Sequence, residues 1–381
     1  MKIIITIFQG EGKNTQAIGA KVQIYLEKDT LLYEMQPIRG FQSSMDYTLT
    51  MGIGKEKQLN LRVIWPNGKT TLVENTKVDN TIILSQVNAT ENYAYPKRDL
   101  ENIFIKSMNN IEYKHVENNY VDFNRDRLLN TMMSTEGPKM AIGDVNKDGF
   151  SDLFIGSSAG NSPTLLLGNK DGFRNSAKKL VFDKNAASED ADCIFFDADN
   201  DNDLDLYVCS GSVEYSNFSS NYLDRLYLND GKGNFSISNQ KLPNPNSYNS
   251  TSNVTSSDID GDGDQDLFVG ERVIPSKYGM PGSGFLLINN GKGLFTDETQ
   301  TLAPEFINLG MITDAEFVDL DGDNDQDLVV VGEFMEITIF KNEKGKFKKE
   351  NSSLPDLFGW WNTVHTTDID GDGDLDIIVG N

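Results

Sequence analysis

Five segments of nine residues carry aspartate at almost every second position. They are loop 1 (residues 144–152), loop 2 (197–205), loop 3 (258–266), loop 4 (319–327) and loop 5 (368–376). Side-chain oxygens at positions 1, 3, 5 and 9 of such a loop, with a backbone carbonyl at position 7, supply the six to eight hard ligands that Ca²⁺ prefers. Two like charges about 4 Å apart repel by about 1 kcal/mol even in water. Crowding of this kind, repeated in five loops, favours cation sites over solvated acidic turns.

The predicted ligands are the residues at the odd-numbered positions of each loop. They are Asp144, Asn146, Asp148, Phe150 and Asp152 in loop 1; Asp197, Asp199, Asp201, Asp203 and Asp205 in loop 2; Asp258, Asp260, Asp262, Asp264 and Asp266 in loop 3; Asp319, Asp321, Asp323, Asp325 and Asp327 in loop 4; and Asp368, Asp370, Asp372, Asp374 and Asp376 in loop 5. Position 7 would contribute its backbone oxygen. We therefore predict up to five bound Ca²⁺ ions.

The residue types disfavour other metal sites. Mg²⁺ keeps several waters and seldom uses a cage built wholly from protein oxygens. Zinc and copper are disfavoured because the loops contain neither histidine nor cysteine. An EF-hand needs a glutamate at position 12, but that position holds Ile155, Val208, Val269, Val330 and Val379. Position 6 is occupied by residues that reach the left-handed conformation of a sharp turn, namely Gly149, Asn202, Gly263, Asn324 and Gly373.

Negative charge is concentrated in these loops. The formal net charge is −24, but the loops hold 23 of the 58 acidic residues, and the other 35 nearly balance the 34 lysines and arginines. Nucleic-acid binding is disfavoured because no basic stripe could neutralise phosphates. No stretch approaches the ~20 apolar residues of a membrane span, so we expect no membrane insertion. Residues 1–9 are typical of a strand and lack a cleavage site, so an export signal would lie outside this chain.

The loops mark internal repeats that predict an all-β fold. Their first aspartates are 49 to 61 residues apart, and each loop precedes a short apolar run ending on glycine, as at residues 153–156, 267–270 and 377–380. About midway between loops, an apolar strand precedes an Asn/Gly turn and a phenylalanine, at residues 226–235, 285–295 and 337–347. Four antiparallel strands per repeat is the unit of a propeller blade. The predicted fold is a partial β-propeller of four-stranded blades with calcium-loop hairpins, preceded by a small β domain.

Three regions are expected along the chain. Residues 1–87 lack the aspartate loops and should form a separate β domain, with a turn at residues 66–68 between strands at 61–65 and 70–73. Residues 88–135 are a connector, and residues 136–381 hold the repeats. The fifth repeat stops at Asn381 before its glycine-turn hairpin, so we expect the propeller to be incomplete at the C-terminus. Unpaired strand edges should make such a chain prone to self-association.

The repeats resemble a known family. The Asp-x-Asp-x-Asp-Gly-x-x-Asp hairpins are similar to the FG-GAP/VCBS repeats of integrin alpha-subunit propellers and of many secreted bacterial proteins. In the first 87 residues, Gly10, Asn14 and the segments 18–22, 51–54 and 63–68 resemble the ASPIC/UnbV domain that accompanies such repeats. Asn146 departs from the family pattern at position 3, which should weaken loop 1 without abolishing its site. The resemblance implies an extracellular, cell-surface or outer-membrane-associated location and a binding or adhesive role.

The leading hypothesis for function is a calcium-binding module whose partner is a protein or a glycan of unknown identity. A carbohydrate-active hydrolase or lyase on the same scaffold is the alternative, because propellers host many chemistries. A structural spacer within a larger surface protein is a third reading. Among acids outside the loops, Glu271 and Glu333 follow Gly270 and Gly332 in register, which favours a turn role over catalysis. We expect no enzyme, because no nucleophile elbow, phosphate loop or dinucleotide motif is present.

Cys193 and Cys209 flank loop 2, four residues before it and four after it. They should be near neighbours on adjacent strands, either as a disulfide or as two buried thiols. Two cysteines are too few for a disulfide scaffold or a zinc site.

Overall fold

The computed structural model describes residues 2–26, 29–95, 111, 113–176, 180–350 and 357–381. Within these ranges the chain is nearly all β. It divides into two compact units, unit 1 (Met1–Ile105) and unit 2 (Lys106–Asn381). The boundary between the units lies inside the predicted connector, residues 88–135. None of the helices among the described residues is long and apolar enough to cross a membrane.

Unit 1 consists of two sheets and a short hairpin. Its strands are β1 (Ile3–Gln9), β2 (Lys21–Tyr25), β3 (Thr30–Glu34), β4 (Ile38–Gly40), β5 (Ser43–Ser44), β6 (Thr48–Gly52), β7 (Gln58–Ile64), β8 (Lys69–Lys77), β9 (Asn80–Ser85) and β10 (Glu91–Asn92), with a 3₁₀ turn at Gln86–Asn88. One sheet has the order β6-β1-β9, with β1 and β9 parallel, and the other has the order β10-β8-β7-β2-β3. The strands predicted on either side of the turn at residues 66–68 are confirmed as β7 and β8, and residues 1–9 contain β1.

The loop that follows β1 is held by Asn14. Its Oδ1 accepts a hydrogen bond from Ile18 N and its Nδ2 donates to Ile18 O, both at 2.9 Å. A Cβ atom at Gly10 would lie 2.0 Å from the Asn14 carbonyl oxygen, so only glycine fits this close approach. The buried Trp65 packs edge-on against Phe8, with ring centroids 5.9 Å apart. These contacts give physical roles to several of the residues that carry the N-terminal resemblance.

Unit 2 contains three four-stranded antiparallel sheets, one five-stranded sheet and a two-stranded sheet among its described residues. Blade 1 is β11 (Met140–Gly143), β12 (Asp152–Ile155), β13 (Thr164–Asn169) and β14 (Gly172–Asn175); blade 2 is β15 (Asp190–Phe196), β16 (Asp205–Ser210), β17 (Arg225–Leu228) and β18 (Ser236–Ile237); blade 3 is β19 (Ser250–Ser257), β20 (Asp266–Val273), β21 (Gly284–Ile288) and β22 (Thr296–Asp297); blade 4 is β23 (Met311–Val318), β24 (Asp327–Glu336), β25 (Thr338–Asn342) and β26 (Phe347–Lys349), with β27 (Phe358–Trp360) paired to β24; and the two-stranded blade 5 is β28 (Thr363–Thr367) and β29 (Asp376–Gly380).

Short helical turns occupy some of the connections in unit 2. They are the α-helical turns α1 (Leu180–Asp183) and α2 (Thr299–Leu302) and the 3₁₀ turns Asp122–Asn124, Met133–Thr135, Ser220–Tyr222 and Pro304–Phe306. The predicted pattern of one blade per repeat, with an aspartate loop between the first two strands, is confirmed in blades 1 to 4.

Successive blades pack against each other through the two faces of each sheet. In β16, Leu206 belongs to an apolar cluster shared with blade 1, whereas its neighbour Tyr207 belongs to the cluster shared with blade 3. Leu267 and Phe268 in β20 divide in the same way between blades 2 and 4. Side chains alternate between faces along a strand, so a continuous apolar run buries both faces of its sheet. Unit 2 is therefore a partial β-propeller of four-stranded blades.

The predicted ends of two strands are wrong. β20 and β24 continue past Gly270 and Gly332, so Glu271 and Glu333 lie inside strands and have no turn role. The pairing of each strand shifts register near the glycine, as in a β-bulge. The carboxylate of Glu333 accepts hydrogen bonds from the Arg272 guanidinium and, at 2.8 Å, from the Tyr278 hydroxyl.

The two cysteines are confirmed on adjacent strands, β15 and β16, but as free thiols. Cys193 lies directly opposite Val208, and Cys209 lies opposite Asp192. Directly opposed residues share a face of the sheet, so Cys193 and Cys209 point to opposite faces. They accordingly belong to different apolar clusters. This geometry excludes the disulfide that the sequence left open.

Candidate metal centres

Each aspartate loop closes a hairpin in the same register. The aspartate at position 9 is the first residue of the second strand of its blade, and it pairs with the residue just before position 1. The five pairs are Gly143–Asp152, Phe196–Asp205, Ser257–Asp266, Val318–Asp327 and Thr367–Asp376. The same aspartate spacing in the sequence therefore gives the same hairpin register in all five loops.

Position 1 organises the turn by accepting backbone hydrogen bonds. In loop 2, the Asp197 carboxylate accepts from Asp201 N at 3.2 Å and from Asn202 N at 2.9 Å. The bond from the position 6 N–H recurs in all five loops. Position 6 has positive φ throughout, at 86° for Gly149, 65° for Asn202, 95° for Gly263, 71° for Asn324 and 98° for Gly373. The left-handed conformation expected at this position is confirmed.

Position 9 anchors the loop to the rest of its blade. In loop 2, Asp205 Oδ2 accepts a hydrogen bond from Ala198 N at 2.9 Å, and Oδ1 accepts from Asn229 N, after the third strand, at 2.7 Å. The same pair of bonds recurs at Asp152, Asp266 and Asp327, and all four side chains are buried. Burial raises the pKa of Asp205 and of Asp266 to about 7 despite these bonds.

Carboxylates of each of loops 2 to 5 converge closely enough to share one ion. Oxygens within 4.8 Å of one another come from positions 1, 3 and 9 in loops 2 and 5, and from positions 1, 3 and 5 in loops 3 and 4. These groups are Asp197, Asp199 and Asp205; Asp258, Asp260 and Asp262; Asp319, Asp321 and Asp323; and Asp368, Asp370 and Asp376. Loop 1 has an amide, Asn146, at position 3. Several aspartate clusters in unit 2 could therefore hold a metal ion.

Loop 2 meets the requirements of a cation site most fully. Asp199 Oδ1 at position 3 is buried and has no hydrogen-bond partner among the described residues. Burial, together with the nearby charges of Asp201 and Asp197, raises the pKa of Asp199. A buried, unpartnered carboxylate oxygen is unfavourable unless a ligand satisfies it. The residues of loop 2 thus fit a hard divalent cation such as Ca²⁺, which takes carboxylate oxygens as ligands.

Loop 4 differs because a lysine reaches its carboxylates. Lys341 Nζ lies 2.8 Å from Asp321 Oδ2 at position 3 and 3.3 Å from Asp327 Oδ2 at position 9. The hydrogen bond from Lys341 lowers the pKa of Asp321, opposite in direction to Asp199 and Asp260 at the same position of loops 2 and 3. The contact of this lysine with the loop was not predicted from the sequence. Its signal is a charged residue where the third strands of blades 1 to 3 have leucine or isoleucine.

Asparagines of the Asn/Gly turns connect neighbouring blades, a role that the sequence analysis also missed. Asn229 Nδ2 donates to the Val145 carbonyl oxygen at position 2 of loop 1, at 2.7 Å. Asn289 and Asn342 make the same bond to position 2 of loops 2 and 3, at 2.8 and 2.9 Å. The turn of each of blades 2 to 4 therefore docks on the loop of the preceding blade. An ion bound in a loop would stabilise the contact between two blades as well as one hairpin.

Position 7 was predicted to contribute only a backbone oxygen, and this remains a prediction. The side chains at this position have separate contacts. Asp325 Oδ2 accepts a hydrogen bond from Lys344 N at 3.2 Å, Asp264 accepts one from the Asn200 amide, and Phe150 is exposed. Positions 7 and 9 therefore connect the loop to its surroundings, whereas positions 1, 3 and 5 lie on the turn itself.

Comparison with known families agrees with this architecture. Residues 10–91 match the family described as ASPIC and UnbV. Residues 144–208, 212–269 and 319–379 match the FG-GAP-like repeat, and these segments contain loops 1, 2, 3, 4 and 5. No curated protein matches the chain. The chain is thus an FG-GAP repeat protein with an N-terminal ASPIC/UnbV domain.

Proposed function

We propose that unit 2 is an extracellular binding module whose aspartate loops bind Ca²⁺ and whose blades are stabilised by the bound ions. The observation that carries the proposal is loop 2, where three carboxylates converge within 4.8 Å and Asp199 Oδ1 is buried without a partner among the described residues. FG-GAP-like repeats are typical of extracellular proteins, which supports an extracellular or cell-surface location. Calcium is abundant there, and weak extracellular sites have dissociation constants of about 10⁻⁴–10⁻³ M.

The hydrogen bonds explain how an ion in a loop would stabilise the fold. Positions 1 and 9 are already oriented by backbone N–H groups, so their side chains need little rearrangement to face an ion. Ca²⁺ would remove the repulsion among the carboxylates of one loop. Because Asn289 ties loop 2 to blade 3 through Ala198 O, this stabilisation would extend across the interface between blades.

The partner that we propose is a protein or a glycan. A cavity of about 340 Å³ in unit 2 supports a polar ligand. The polar residues Ser250, Thr251 and Thr313 line it, together with the charged residues Arg272 and Glu189. Such a polar lining suits a hydroxyl-rich ligand better than an apolar one. Screening of the Ca²⁺-loaded protein on a glycan array and against matrix proteins tests this part of the proposal.

Thermal unfolding with and without Ca²⁺ tests metal binding. An ion that binds only the native state stabilises by about 2.7 kcal/mol per independent site at a hundredfold excess over its dissociation constant. We expect a higher melting temperature in millimolar Ca²⁺ than in chelator, and a smaller difference in Asp199→Asn. The control is Asp171→Asn, which removes an exposed charge outside the loops.

Two results would count against calcium binding. One is an equal melting temperature in chelator and in Ca²⁺. The other is an equal response to Mg²⁺ and Ca²⁺ at the same concentration, because Mg²⁺ keeps several waters and seldom uses a cage built wholly from protein oxygens.

A further inference from the structure

We propose that Lys341 is a built-in counter-ion of loop 4, which competes with Ca²⁺ and makes this loop a weaker calcium site than loop 2. This inference rests on the proposed function of the loops. Its starting point is that the Lys341 ammonium contacts Asp321 and Asp327, the position 3 and position 9 carboxylates. Both are predicted ligands, so an ion and the ammonium would require the same oxygens.

Both carboxylates that Lys341 contacts also accept hydrogen bonds from backbone N–H groups. Asp321 Oδ1 accepts from Asp323 N at 3.3 Å while Oδ2 accepts from Lys341 Nζ at 2.8 Å. The Asp327 side chain is 1% exposed. Each of its carboxylate oxygens accepts a hydrogen bond from a backbone N–H group, in addition to the contact with Lys341. By contrast, Asp199 Oδ1 in loop 2 has no partner among the described residues. Lys341 thus compensates the position 3 and position 9 carboxylates of loop 4, whereas Asp199, at position 3 of loop 2, has no such cation partner among the described residues.

The lysine is not required by the packing of a blade. Strand pairing places Leu166, Tyr227, Leu287 and Phe340 at one position of the third strand, each opposite the residue that directly follows position 9. The next residue along is Leu167, Leu228, Ile288 and Lys341, respectively. The first three are half-buried and pack against the apolar clusters between blades. Lys341 therefore replaces a packing residue with a charge directed at the loop.

Ca²⁺ can enter loop 4 only after the ammonium leaves or shares its two carboxylates. Asp319 and Asp323 would still offer oxygens, because they converge with Asp321. The expected result is a site of lower affinity. Opposite charges at contact distance attract each other even near a protein surface, so removing the ammonium should raise the affinity of loop 4 by about tenfold or more.

Counting bound ions by native mass spectrometry over a series of free Ca²⁺ concentrations tests the proposal. Lys341→Met removes the charge and keeps an unbranched side chain, and Lys341→Leu reproduces the residue found in blades 1 and 2. Both variants should fill one more site than the wild type at low Ca²⁺, or fill the weakest site at about tenfold lower concentration. The control Lys277→Met removes an exposed positive charge from the connection between the second and third strands of blade 3 and should not change the count.

A double variant assigns the gained ion to loop 4. Adding Asp319→Asn to Lys341→Met should abolish the gain, because Asp319 belongs to that loop's carboxylate group. The reciprocal change, Leu228→Lys, should weaken the site in loop 2. Unchanged ion counts in Lys341→Met and Lys341→Leu, in a wild type that binds Ca²⁺, would overturn the role of Lys341 and leave the proposed function standing. No bound Ca²⁺ in any variant would overturn both.

Discussion

Loops 2 and 4 have the same pattern of five aspartates and the same asparagine at position 6, yet the structure gives them different electrostatics. In loop 2, the position 3 carboxylate keeps a buried oxygen without a partner among the described residues. In loop 4, the corresponding carboxylate is bound by Lys341 at 2.8 Å. The difference arises outside the loops, where the third strand contributes Leu228 to one site and Lys341 to the other. The aspartate motif therefore determines which carboxylate oxygens a loop can offer to a cation. The third strand of the blade determines whether those carboxylates already form an ion pair.

The largest expected effect is the loss of unfolding free energy when the position 9 aspartate is removed, and we expect it in both loops. Asp205→Ala and Asp327→Ala each remove a buried acceptor from two backbone N–H groups. Leaving buried donors unsatisfied costs about 1–3 kcal/mol each, so each variant should lose about 2–6 kcal/mol of unfolding free energy even in chelator. Urea denaturation measures this loss, with Asp171→Ala as the surface control. A loss below about 0.5 kcal/mol, as at ordinary surface sites, would show that position 9 does not anchor the hairpin.

Measuring stability as a function of pH distinguishes the contribution of the loop carboxylates from that of buried acids elsewhere in unit 2. Burial raises the pKa of Glu189 to about 8, although its carboxylate accepts a hydrogen bond from Ala159 N. The folded state then keeps a proton that the unfolded chain releases near pH 4.3. Stability should therefore fall as pH rises from about 5 to 8, by at most about 1.4 kcal/mol per unit.

Glu189→Gln should flatten this part of the profile, because the variant has no proton to lose. Denaturant melts in saturating Ca²⁺ at pH 5, 6, 7 and 8 make the measurement while the loop carboxylates are held by metal. An identical slope in wild type and variant would mean that Glu189 titrates normally in the folded protein.

The smallest expected effect is the change in unfolding free energy when position 3 loses its charge. This change should have opposite signs in loops 2 and 4, which makes it the sharpest contrast between them. In chelator, Asp199→Asn removes a charge that is repelled by its neighbours, which should stabilise unit 2 by up to about 1 kcal/mol. Asp321→Asn removes the nearer of the two carboxylate partners of Lys341, so it should destabilise. Paired melts of the two variants, with no Ca²⁺ present, test this directly. Shifts of the same sign would indicate that Lys341 does not compensate loop 4 in solution.

Much of the site could be predicted from the sequence because its determinants are local. The alternating aspartates and the left-handed residue at position 6 lie within nine consecutive residues, and the strands around them follow from apolar runs. Other features depend on which residues meet across strands. The register of β25 brings Lys341 to loop 4, and blade packing brings Asn289 to the Ala198 carbonyl. Neither contact could be inferred without knowing the pairing of strands or the order of blades.

The same limit explains the errors outside the loops. Gly270 and Gly332 looked like strand ends, but a bulge in the partner strand lets the backbone continue past them. The cysteines were correctly placed on adjacent strands, whereas the side of the sheet that each one faces depends on a register that sequence spacing does not specify. Local chemistry was predictable, and contacts across strands were not.

The most direct test of calcium binding is long-wavelength anomalous diffraction from crystals of the protein grown in millimolar Ca²⁺. We expect an anomalous peak in loop 2, about 2.3–2.6 Å from carboxylate oxygens of Asp197, Asp199 and Asp205. The peak in loop 4 should be weaker or missing in the wild type and should strengthen in Lys341→Met. Absence of any peak in the aspartate loops at saturating Ca²⁺ would contradict the assignment of these loops as calcium sites.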